Sequence, residues 1–105
     1  MAFKVFVFAQ GKGWIPVSDV LNHNGVAASE DEALSLGCTL VMSGIVENMR
    51  THGAKTGDIV GFKILPTEDL PQPLPKQARS WLDFKHLFFK RGSSYFLYKT
   101  WSWPD

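Results

Sequence analysis

Residues 29–53 read SEDEALSLGCTLVMSGIVENMRTHG, and the way this stretch folds decides the architecture. Glu32, Ser35, Thr39, Ser43, Glu47 and Arg50 recur at steps of three and four and form one polar stripe. Leu34, Cys38, Val41, Ile45 and Met49 recur at the same steps on the other side. This is the period of one long amphipathic helix. Ser29 and Glu32 have the spacing of a capping box, in which the hydroxyl accepts the amide three residues on and the carboxylate reaches back. Glu30 and Asp31 lie at the positive end of the helix dipole, and Arg50 and His52 at the negative end. Gly53 can take the left-handed closing conformation.

Gly37 and Gly44 work against this helix, at roughly 1 kcal/mol each in an interior position. They are seven residues apart and share a face, so the helix can approach a sheet or a partner closely there. The competing reading ends the helix near Gly37 and makes 38–47 a strand. Side chains in 38–47 do not alternate, which disfavours it.

Upstream, Phe3-Lys-Val-Phe-Val-Phe-Ala9 reads as a strand, with Phe3, Val5 and Val7 on one face and Lys4, Phe6 and Phe8 on the other. Both faces are largely apolar, so a central position is expected. Gln10–Gly13 is a turn, and Trp14–Val17 returns as a hairpin partner. Pro16 cannot donate to a ladder, so that partner belongs at an edge. Asn22-His-Asn-Gly25 is a second turn.

Downstream, Ala54–Asp58 is a turn and Ile59–Leu65 a third strand. Residues 66–75, PTEDLPQPLP, hold four prolines and read as an extended connector. A short helical turn is expected near 76–83, then a hairpin of 85–90 and 95–101 about the turn Arg91–Ser94. The expected fold is a single α+β domain over 1–105: a mostly antiparallel sheet of four to five strands packed on one long helix. The alternative is a small Greek-key β-barrel with a short helix at 30–36.

The chain has 105 residues, 45% hydrophobic and 20% charged, which suits a modest core and excludes a disordered chain. A lone cysteine, Cys38, rules out an intramolecular disulfide. Residues 1–10, MAFKVFVFAQ, lack the long apolar core and cleavage site of a secretory signal, and no apolar run suffices for a membrane span. A cytoplasmic protein is expected.

Chemistry-bearing motifs are few. Gly53-Ala-Lys55-Thr-Gly57 lacks the glycine before the lysine that a phosphate loop needs. It matches a β-lactamase Lys-Thr-Gly box without its companion motifs. His23, His52 and His86 lack metal-ligand spacing to one another or to Cys38. Asp83 and His86 could pair on one helical face, but an ordinary surface pair is the better account. Neither catalytic residues nor a metal or cofactor is expected.

Charge and aromatics are unevenly spread. Residues 1–75 carry net −3 and residues 76–105 net +4, and nine of the fourteen aromatics fall in the latter part. The leading expectation is therefore a non-catalytic binding module, adaptor- or inhibitor-like, that contacts another protein through Tyr98, Trp101, Trp103, Pro71 and Pro73. The alternative is a single-stranded nucleic-acid binder using Lys85, Lys90, Arg91 and Lys99 among the neighbouring rings. Either role allows a homodimer, through the Gly37/Gly44 face or a free strand edge.

Overall fold

The computed structural model describes residues 1–42, 59–76 and 78–98. The order of elements is β1 (Ala2–Ala9), β2 (Gly13–Pro16), β3 (Val26–Ala27), α1 (Glu30–Met42), β4 (Ile59–Thr67), α2 (Trp81–Phe84), β5 (Phe88–Arg91) and β6 (Ser94–Leu97). Single 3₁₀ turns follow β2 at Val17–Asp19 and α2 at Lys85–Leu87. The fold is α+β. One antiparallel sheet runs β2-β1-β4-β6-β5, with β3 also paired to β1. The sheet stays open between β2 and β5, so the barrel does not form. No helix among the described residues is long and apolar enough to cross a membrane.

Strand β1 is central, as its two apolar faces require. Val5, Val7 and Ala9 are fully buried beneath α1, beside Phe62 and Ile64 of β4. The hydroxyl half of the capping box forms at Ser29, whose Oγ accepts the Glu32 amide at 3.2 Å. The helix continues through Gly37 to Met42, so residues 38–42 are not a strand. Its expected continuation to Gly53, with Ile45, Met49 and Gly44, lies outside the described residues.

The buried face of α1 differs from the expected one. Ala33, Leu36, Gly37 and Leu40 are buried along with Leu34 and Cys38, while Val41 is only half-buried. The reason is Gly37. A Cβ there would lie 2.2 Å from the Phe62 ring, so the missing side chain is what brings helix and sheet together. Nor is the polar stripe wet throughout. Thr39 is fully buried, and the Ser35 and Thr39 hydroxyls accept the Trp81 and Arg79 amides at 3.0 and 2.7 Å. The helix thus lies between the sheet and the segment that leads into α2.

Three boundaries also shift. Strand β4 runs through Pro66 to Thr67: Pro66 stands opposite Phe3, next to the last pair of the ladder, where its missing N–H is tolerated. The short helix begins at Trp81 rather than near 76, and the hairpin is the tighter pair Phe88–Arg91 and Ser94–Leu97. Gly92, at φ +62°, makes that turn. Strand β3, only two residues long, is not legible as a strand in the sequence.

Candidate functional site

The register of the sheet sorts its side chains into cross-strand rows. Trp14, Phe8, Gly61, Phe96 and Phe89 stand opposite one another on β2, β1, β4, β6 and β5. The next row is Pro16, Phe6, Lys63, Ser94 and Arg91. Beyond it, Lys4 pairs with Val26 and Leu65. Side chains alternate along each strand, so these rows share the face turned away from α1. Neither α1 nor α2 covers this face, and its five large rings, Phe6, Phe8, Trp14, Phe89 and Phe96, are half-buried rather than buried.

Trp14, Phe8 and Phe96 form a mutually contacting trio, with Trp14 also 6.0 Å from Phe96, and Phe89 and Tyr98 follow beyond Phe96. Trp14 meets Phe8 at a centroid distance of 5.1 Å, Phe8 meets Phe96 at 5.8 Å, Phe96 meets Phe89 at 6.0 Å, and Phe89 meets Tyr98 at 5.3 Å. Gly61 makes the row continuous. A Cβ on it would come within 2.5 Å of the Phe96 ring, so the ring lies across the glycine toward Phe8. A ring covering a strand glycine compensates the stability that glycine forfeits in a sheet.

Every charged residue in these three rows is a cation: Lys4, Lys63 and Arg91. The Lys63 ammonium sits 4.5 Å from the Trp14 ring and 5.6 Å from that of Phe6. Lys4 approaches Phe6 at 5.6 Å and reaches Asp69 at the rim at 3.9 Å, a pair exposed enough to contribute little. The acidic first turn of α1, Glu30 to Glu32, belongs to the opposite layer.

The residues singled out from the sequence are dispersed. Tyr98, 57% exposed, ends the ring row beside β5, whereas Pro71 and Pro73 lie exposed on the connector beside β3. These are opposite edges of the sheet. Of the four cations, Lys90 points to the helix side, 5.7 Å from the Tyr95 ring, and Arg91 to the open face. Lys85 is exposed on the 3₁₀ turn. Trp101, Trp103 and Lys99 lie outside the described residues. The open-face set does not follow from the sequence, because pairing Phe8 with Trp14, Gly61 and Phe96 needs a register that one sequence does not reveal. Only the outward alternation of Lys4, Phe6 and Phe8 was legible.

Two groups able to do chemistry, His23 and Cys38, are otherwise engaged. His23 is 9% exposed, and its Nδ1 accepts the Gly25 amide at 2.9 Å while Nε2 donates to the Pro73 carbonyl at 2.9 Å. These partners specify the neutral ring with its proton on Nε2. Asn24 and Gln72 add bonds that hold the connector against the 22–26 turn. Cys38 is fully buried, and burial pushes its thiol up to about 11 despite the pull of Arg79. Among the described residues no cluster of His, Cys, Asp or Glu could hold a metal ion. Comparison with protein-family models, curated proteins and solved structures found no match to this chain.

Proposed function

We propose that this protein is a non-catalytic module that binds single-stranded nucleic acid on the open face of its sheet. The observation that carries this reading is the row of rings Trp14–Phe8–Phe96–Phe89 lying one register step from the row holding Lys63 and Arg91. Rings stack on bases and cations follow phosphates, and a single strand presents both side by side.

Magnitudes favour an exchange at Trp14. A cation over an exposed ring contributes about 0.5–1 kcal/mol. A stacked base contributes about 1–3 kcal/mol. A base can therefore displace the Lys63 ammonium from Trp14, and the freed ammonium gains a phosphate partner.

The test is a titration with oligothymidylate and oligouridylate, following tryptophan fluorescence at low and moderate salt. Quenching that weakens with salt, and that is lost in Trp14→Phe, supports the reading and shows which sugar is preferred. An unchanged spectrum at low salt overturns it, and the half-buried ring row ending at the exposed Tyr98 then becomes a surface for a protein partner.

A further inference from the structure

We infer that the strand crosses the sheet along the rows, with separately splayed bases on the rings and phosphates on the Lys63–Ser94–Arg91 row, so that the site is sequence-tolerant and selective for unpaired strands. This deepens the function proposed above and rests on it. Three observations carry it.

The first is spacing. Successive ring centroids lie 5.1, 5.8, 6.0 and 5.3 Å apart. Bases within a duplex rise only about 3.4 Å per step. A stacked column cannot match the ring row, so each base has to leave its neighbour to meet a ring. A duplex cannot do this without unpairing, whereas an unpaired strand can. Aromatic sheet platforms of this kind stack about two or three bases.

The second is the make-up of the ring row. Phe8, Phe96 and Phe89 carry no hydrogen-bonding group, and Gly61 contributes no side chain. Base edges over these three rings therefore meet nothing that reads them; hydrogen-bonding groups stand only at the two ends of the row, on the Trp14 indole and the Tyr98 hydroxyl, and every base offers a π-face.

The third is the neighbouring row. Lys63 and Arg91 flank Ser94 across β4, β6 and β5. The backbone positions of two cations and a hydroxyl thus run parallel to the ring row, about 7 Å away along each strand, and the Lys63 side chain leans back to Trp14 at 4.5 Å. The opposite side of the same hairpin carries Lys90, directed toward Tyr95 and away from this row.

The experiment measures the affinity of the full chain for oligothymidylates of two to eight residues, for an oligouridylate, and for a duplex of equal length, across a salt series. Affinity is expected to rise to about three or four residues and then level off, with similar values for mixed sequences and at least tenfold weaker duplex binding. The slope of log affinity against log salt is expected to fall by about 0.7 in Lys63→Gln and again in Arg91→Gln. In Lys90→Gln it is expected to match the wild type. Phe89→Leu is expected to weaken binding about five- to hundredfold at an unchanged slope. Circular dichroism of each variant separates loss of fold from loss of contact. Equal affinity for duplex, strong preference for one base, or a slope indifferent to Lys63 and Arg91 overturns this placement while leaving single-strand binding intact. Absence of any binding by the wild type overturns the parent function.

Discussion

The Thr39 hydroxyl accepts the Arg79 amide at 2.7 Å while donating its own proton to the Ser35 carbonyl at 2.7 Å. One turn earlier, Ser35 Oγ accepts the Trp81 amide at 3.0 Å. Two hydroxyls one helical turn apart thus take the place of a strand edge for residues 79–81. Trp81 is thereby held against Phe62, Phe88 and Tyr95, at centroid distances of 5.8, 5.4 and 5.2 Å. Thr39→Val keeps the shape but strands the Arg79 amide. A loss of about 1–3 kcal/mol is expected in urea unfolding, with Thr39→Ser close to wild type.

Gly37→Ala sets two effects against each other. Helix propensity gains roughly 1 kcal/mol. Against that, the new methyl would lie 2.2 Å from a ring that is fully buried and stacked on Tyr95 at 5.2 Å. Overpacking of this kind costs about 1–3 kcal/mol. The ring has nowhere to retreat, so a net loss of stability is expected. A midpoint at or above the wild type's in thermal unfolding would contradict the tight helix–sheet contact.

Cys38 makes stability pH-dependent on the alkaline side. In the unfolded chain its thiol ionises near 9.0, whereas burial holds it protonated to about 11 in the fold. The folded state therefore binds the extra proton between these values. Its contribution is fully present below pH 9 and is lost as pH rises toward 11. The difference in stability between the wild type and Cys38→Ala should be constant up to about pH 9 and shift against the wild type above it. Thiol reagents should label the native protein far more slowly than the unfolded one.

His23 fastens the connector. Replacing it with leucine removes the bond to Pro73 and the one from Gly25, leaving the segment held by Asn24 and Gln72. Proteolytic cleavage within residues 68–75 should accelerate while circular dichroism of the sheet changes little. Cleavage at the wild-type rate would show that the two remaining residues suffice.

Local pattern carried much of the fold. The alternation in Phe3–Ala9, the cap at Ser29 and the glycine turn at Gly92 are each decided by a few neighbouring residues, and each reads directly from the chain. Partners distant in sequence are another matter. That Ser35 and Thr39 would be covered depends on residues 79–81 folding back, and hydroxyls read as solvated until that cover is known. The candidate face was hidden for the same reason. Its rings come from four strands, and their meeting depends on a glycine, Gly61, whose role is to be crossed by Phe96. Composition points to the basic C-terminal third, yet alternation there sends Lys90 and Arg91 to opposite sides.

The pairing of β1 with β4 joins Ala2 to Thr67 and Ala9 to Ile59, across fifty residues or more. During synthesis the phenylalanine-rich β1 emerges first, and its main partner emerges only after the helix. Until then its local partners are β2, short and ended by Pro16, and the two-residue β3. Contacts so distant in sequence form slowly, and an apolar strand awaiting them is a hazard for self-association. Lys4, the one charge among residues 2–9, is placed to act as a gatekeeper over that interval. The same lysine that lies at the rim of the finished face thus guards the nascent chain before the face exists.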